Sequence, residues 1–205
     1  VSDTAPTLIH RFEPATDAAR PPLLLLHGTG GDESDLIPLG RLVAPGTALL
    51  SPRGAVLENG MPRFFRRLAE GVFDEDDLRR RTDDLAAFVR QQQAERGLAA
   101  PVALGFSNGA NIAASLLLRH PGLLRGAALL RAMMPFREPP AVRLDGTEVL
   151  LLSGTNDPIV PAASSAALAR LLEDSGAAVT QHALPLGHGL SQMDVALTRG
   201  WLAAL

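Results

Sequence analysis

The chain has 205 residues, 46% hydrophobic and 20% charged, with a formal net charge of −3. That balance fits one globular domain, residues 1–205, with a sizeable core, and it excludes a disordered or collagen-like chain. No basic cluster stands apart from acidic neighbours, so nucleic acid and acidic lipid are not expected as partners, and small or neutral molecules are favoured. All 19 basic residues are Arg, and Lys, Cys and Tyr are absent. This removes thiol nucleophiles, Schiff-base lysines, Ser-Lys dyads, disulfides and thiolate metal sites, leaving Ser, Thr, Asp, Glu and His for chemistry.

The N-terminal VSDTAPTLIHRFEP lacks a basic stretch followed by an apolar one, and no aliphatic run is long enough to span a bilayer. A cytoplasmic protein that does not engage the membrane is expected. An exposed apolar face could support a homodimer, although no periodic stripe beyond core needs marks one.

Short aliphatic runs alternate with longer segments of helical period, the pattern of βαβ units and a mostly parallel sheet. Strands are expected at Thr7 to Phe12, Leu23 to Leu26, Ala48 to Ser51, Val102 to Gly105, Gly126 to Leu130, Glu148 to Leu152 and Ala178 to Ala183. Most are near-continuous apolar runs, as suits strands covered on both faces. Helices are expected at Asp35 to Leu42, Asp74 to Arg96, Asn108 to Arg119, Ala162 to Ser175 and Leu190 to Leu205. The second puts Leu78, Leu85, Phe88 and Val89 on one stripe, with acidic residues in its first turn and Arg in its last, as the helix dipole favours. Pro52 to Phe73 and Arg131 to Thr147 show no clear element, and either could cover the mouth of a site. No segment is long enough for a separate cap domain.

The strongest local signal is Gly105-Phe106-Ser107-Asn108-Gly109, a G-x-S-x-G pattern between an expected strand and an expected helix. A sharp turn there holds the Ser in a strained elbow with its hydroxyl exposed at a helix N-terminus. A serine nucleophile needs a base and an orienting acid, in the chain order Ser, Asp or Glu, His. Asp157, in SGTNDPIVP, lies at the C-terminal end of a strand, where open α/β sheets gather their sites. Asp145 and Asp174 sit on approaches to strands, at the opposite edge. His188, in PLGHGLS, lies on a loop between two glycines, whereas His182 falls inside a strand. Two backbone N–H groups must also meet the developing oxyanion. Asn108 supplies one, and Thr29, in the HGTGG run from His27 to Gly31, supplies the other. His27 is expected to pin that loop by side-chain hydrogen bonds.

No HExxH or HxH pair occurs among the five His, so no metal and no cofactor is expected. Asp74 to Asp77 reads as a helix start. The PRFFRR stretch from Pro62 could grip an acidic group, but a structural or solvated role is favoured.

LLLLHGTGGDE, GFSNGANIAASLL, SGTNDPIVP and GHGL, in that order, resemble the phospholipase/carboxylesterase family of α/β-hydrolases, the small serine esterases that include acyl-protein thioesterases. Within it, ENGMPRFFRRLAEGVFDEDDL from Glu58 is similar to bacterial hydrolases associated with hydroquinone and quinone resistance. The resemblance implies an α/β-hydrolase fold without a separate cap, a Ser107–His188–Asp157 triad and an oxyanion hole at Thr29 and Asn108. The chain departs from the family's thioesterases in having Asn108 where they have Gln, and no counterpart of their lipid tunnel is recognisable. RAMMPF after the fifth strand also departs, so Met133, Met134 and Phe136 could shape an apolar acyl pocket or belong to the core. The expected activity is hydrolysis of small to medium carboxylic esters through an acyl-enzyme, with the ester and water as partners. Thioesters, lactones and aromatic esters would suit the same triad. The reading from a different class is a hydrolase fold retained as a binder of small phenolic or quinone ligands.

Overall fold

The computed structural model describes residues 7–17 and 19–205. In chain order the elements are β1 (His10–Glu13), β2 (Leu23–Leu26), α1 (Ile37–Val43), β3 (Leu49–Pro52), β4 (Val56–Glu58), β5 (Met61–Arg63), β6 (Arg67–Ala69) and β7 (Val72–Phe73). They continue with α2 (Glu75–Arg96), β8 (Val102–Phe106), α3 (Asn108–Arg119), β9 (Gly126–Leu130), β10 (Glu148–Gly154), α4 (Ala162–Asp174), β11 (Ala178–Leu184) and α5 (Gln192–Ala203). Seven strands form one sheet in the order β1-β3-β2-β8-β9-β10-β11. Among the described residues of this sheet, only the β1–β3 pairing at one edge is antiparallel.

The strands serve two cores. Leu24, Leu26, Ala103, Leu129 and Leu151 pack on the face covered by α2, α3 and α4. Their sequence neighbours Leu23, Leu25, Leu104, Leu130 and Leu152 pack on the face covered by α1 and α5. The two-residue period of a strand sends alternate side chains to opposite faces, so a run such as LLLL fills both. Each fully buried Leu contributes roughly 1.5–3 kcal/mol of hydrophobic stabilisation.

The ends of the elements follow local chemistry. Asp74 caps α2 by accepting from the Asp77 N–H at 3.0 Å, and Gly97 closes it at φ 66°. The expected first strand begins at Thr7, but β1 starts at His10, because its ladder is only as long as β3, running from His10 opposite Pro52 to Glu13 opposite Leu49. The first helix starts two residues later than expected, with Pro38 in its opening turn, a position proline favours.

The Pro52 to Phe73 stretch is not featureless. It folds as two short hairpins, β4–β5 and β6–β7. Asn59 (φ 52°) and Gly60 (φ 80°) turn the first, the pairing that a two-residue hairpin with both φ positive prefers. Phe64 and Phe65 between the hairpins are buried in the core beneath α2 and α3. The arginines around them are structural: Arg63 and Arg67 both bond to Glu58, and Arg66 bonds to Asp74.

Candidate active site

The turn from β8 into α3 is tight. Ser107 has φ 53° and ψ −115°, a left-handed conformation that costs a non-glycine residue on the order of 1–3 kcal/mol. Its N–H donates to the Leu130 carbonyl at 2.9 Å, which ties the elbow to the end of β9. The flanking glycines are there for space. A Cβ on Gly109 would lie 1.9 Å from the Leu26 carbonyl oxygen, and one on Gly105 would lie 2.6 Å from the Gly109 oxygen. With a side chain at either position, α3 would be pushed off the sheet and the serine moved with it.

Asp157 and His188 arrive on the loops after β10 and β11. These loops are laced together beyond the strands, the Thr155 N–H donating to Leu184 O at 2.7 Å and the Asn156 N–H to Leu186 O at 3.0 Å. The side chain of Asp157 is fully buried. One carboxylate oxygen accepts from the N–H groups of Ile159 (2.8 Å) and Val160 (3.0 Å), and the other lies 2.8 Å from His188 Nδ1. Burial alone would raise the pKa of this carboxyl. The His188 hydrogen bond and the two backbone donors outweigh it and hold the pKa below the ordinary aspartate value. An ionised Asp157 requires the proton of a neutral imidazole to sit on Nδ1, which leaves Nε2 as an acceptor 2.8 Å from Ser107 Oγ.

The alternatives lie elsewhere. His182 is inside β11, paired in register with Leu152, and Asp145 bonds to Arg143 ahead of β10. Among the described residues, no group of three His, Asp or Glu side chains could hold a metal ion.

The HGTGG loop follows β2. His27 is buried beneath it, with Nδ1 2.7 Å from the Gly28 carbonyl and Nε2 accepting the Gly54 N–H at 2.9 Å. The loop's other tie is the Gly30 N–H to Pro62 O at 2.9 Å. Thr29 at its tip is exposed, and the Asn108 N–H is among the first of α3, which no intrahelical carbonyl takes up.

Burial lowers the pKa of His27 despite the Gly28 carbonyl and nearby acidic residues, so the ring stays neutral in the folded state below the ordinary histidine value. The unfolded chain then binds more protons than the folded one, and stability falls as the pH drops from about 6.5 toward the folded value. His27→Ala is expected to cost about 1–3 kcal/mol at pH 7, because the Gly54 N–H loses its acceptor. It is also expected to flatten the decline in stability between pH 6.5 and 5, checked by urea melts across that range.

Met133, Met134 and Phe136 line one cavity of about 210 Å³, closed on the other side by Gly71, Val72 and Phe73 of the second hairpin. Ser107, Asp157 and His188 are not among its lining residues. The link between them is Asn111, whose N–H donates to Ser107 O at 3.0 Å and whose side-chain oxygen accepts from the Met133 N–H at 2.9 Å. Phe136 is also part of the buried core cluster, Met134 packs against it, and Met133 is buried.

Two features escape the sequence pattern. The Asn108 side chain accepts the Phe64 N–H at 2.7 Å, fastening the hairpin segment to the residue after the elbow serine. Arg131, just past β9, is fully buried and forms an ion pair with Asp194 of α5, a contact between residues remote in sequence that no periodicity signals.

The model of the Phospholipase/Carboxylesterase family matches residues 9–204. The Bacillus subtilis (strain 168) protein named "Putative hydrolase MhqD" is 47% identical over 183 residues, 87% of this chain and 90% of that protein. The crystal structure of the Bacillus cereus carboxylesterase superposes with a TM-score of 0.94 at 47% identity, over 96% of this chain and 94% of that one. The carboxylesterase from Mesorhizobium loti gives a TM-score of 0.92 at 36% identity, covering all of this chain and 98% of its own. Sheet order, elbow and a match over nearly the whole chain agree: the protein belongs to the phospholipase/carboxylesterase family of hydrolases, with the α/β-hydrolase fold.

Proposed function

We propose that the protein is a serine carboxylesterase that hydrolyses small to medium carboxylic esters through an acyl-enzyme, with Ser107, His188 and Asp157 as its triad. The observation that carries this reading is the pair of 2.8 Å contacts joining Asp157 to His188 and His188 to Ser107. Ser107 Oγ attacks the ester carbonyl as its proton passes to His188 Nε2, and Asp157 stabilises the imidazolium that results. The N–H groups of Thr29 and Asn108 receive the oxyanion. Collapse of the tetrahedral adduct expels the alcohol, which takes the proton from His188, and water repeats the sequence on the acyl-enzyme to release the acid and free Ser107.

The size preference rests on the Met133–Phe136 cavity as the acyl site. At about 210 Å³ it falls short of the roughly 300–1,000 Å³ common for drug-sized ligands. The names of the two carboxylesterase structures support the ester class.

A panel of p-nitrophenyl esters from acetate to palmitate, with a long-chain thioester added, tests this reading, alongside mass-spectrometric detection of a fluorophosphonate adduct. Turnover peaking at a short or medium chain with labelling at Ser107 is expected. A preference for palmitate or the thioester would overturn the size assignment. Saturable binding of phenols or quinones without labelling or turnover would replace the esterase with a binding protein.

A further inference from the structure

Arg131 is the most buried cation among the described residues, and its surroundings use every donor it has. Its guanidinium makes five hydrogen bonds: Nε to Gly187 O at 3.0 Å, Nη1 to Leu152 O at 3.3 Å, Nη2 to Gly189 O at 3.1 Å, and Nη1 and Nη2 to the two carboxylate oxygens of Asp194 at 2.8 and 3.0 Å. A guanidinium carries five N–H groups in a fixed fork, so none is left over. The backbone at Arg131 is left-handed, with φ 60°. Its N–H also donates to Leu152 O at 2.8 Å.

Gly187 and Gly189 are the two neighbours of His188. Their carbonyls face the same cation from either side of the imidazole-bearing residue, on a loop whose glycines would otherwise leave it free to sample many conformations. Asp194 completes the arrangement. The oxygen that meets Nη2 also accepts the N–H and hydroxyl of Ser191, at 2.9 and 2.8 Å, so the start of α5 is fixed to the same point. A buried ion pair is poor value as a stabiliser, because apolar residues of the same volume often do as well. Geometric fastening is what a hydrophobic replacement could not supply. The carboxylate also cancels the charge, so the loop is held without a net positive charge beside an imidazole that must become cationic during turnover.

We propose that Arg131, held by Asp194, is a positioning residue that fixes His188 for proton transfer by clamping the carbonyls on both sides of it. The proposal rests on the triad reading above. The test is Arg131→Lys, which keeps a cation for Asp194 but cannot span the Gly187 and Gly189 carbonyls and both carboxylate oxygens from one ammonium nitrogen.

With p-nitrophenyl acetate, kcat is expected to fall on the order of 10–10²-fold, as for a reacting group displaced by about an ångström. KM should stay within about threefold, since substrate binding is untouched. The downfield Nδ1–H proton resonance of His188 should broaden or vanish in the folded variant. Unchanged kcat and an unchanged resonance would overturn the proposal, as would a lowered Tm with normal turnover by the folded fraction.

The double variant Arg131→Met with Asp194→Asn removes both charges together and should show the same kcat loss. Should neither variant fold, the wild-type protein still decides. The Arg131 Nε–H is expected to exchange with solvent far more slowly than those of exposed arginines, and exchange at their rate would overturn the clamp. The imidazole and guanidinium readouts need no turnover, so failure of the esterase reading, seen as no labelling at Ser107, is distinguishable from failure of this one.

Discussion

Ser107→Ala is expected to lower kcat for p-nitrophenyl acetate by on the order of 10⁴–10⁶-fold and to abolish the fluorophosphonate adduct, with Tm within a few degrees of wild type. The hydroxyl oxygen is the only heavy atom lost. Its removal breaks the 2.8 Å contact with His188 Nε2, while the Ser107 N–H to Leu130 O bond is a backbone contact that Ala retains. The residual rate should not reach zero, because oxyanion donors without a nucleophile still accelerate attack by water, by roughly 10³–10⁴-fold over solution in serine proteases. A variant retaining a tenth of wild-type turnover would exclude Ser107 as the nucleophile.

Asp157→Asn should cost about 10⁴-fold in kcat at neutral pH, the scale seen when the buried acid of a serine-protease triad becomes an amide. The loop should survive, since an amide oxygen can still accept from Ile159 and Val160. An amide NH₂ would then face His188 Nδ1 and force the ring proton onto Nε2, where it blocks uptake of the serine proton. The pH dependence gives a second readout. Because the folded carboxyl titrates below its ordinary value, its contribution to stability is complete above about pH 3.9 and is lost as the pH falls through the folded pKa. Asp157→Asn should therefore make stability less sensitive to acid below pH 4, measured by thermal melts between pH 2.5 and 7.

The three residues that meet at the site, Ser107, His188 and Asp157, were legible because each sits beside a local signal. The elbow is flanked by glycines that the packing of α3 on β2 and β8 demands, Asp157 follows the apolar run of β10, and His188 stands on a loop between two glycines after the half-exposed β11. Third and fifth helices and the β9 strand followed from the same alternation. The hairpins were missed although Asn59-Gly60 carries a turn signal, because strands of two or three residues are too short to show an alternating pattern. Arg131 was illegible for a different reason. In RAMMPF it reads as one more surface arginine, and only the fold brings Asp194 and the Gly187 and Gly189 carbonyls to it.

The bond from the Phe64 N–H to Asn108 couples the hairpin segment, Pro52 to Phe73, to the start of α3. The same segment ends in Gly71, Val72 and Phe73, which wall one side of the Met133–Phe136 cavity. Position 108, however, belongs to the turn that carries Ser107. The hairpin segment and that single asparagine therefore form one mechanical unit, and a replacement segment would keep its register only where residue 108 could still accept its backbone N–H.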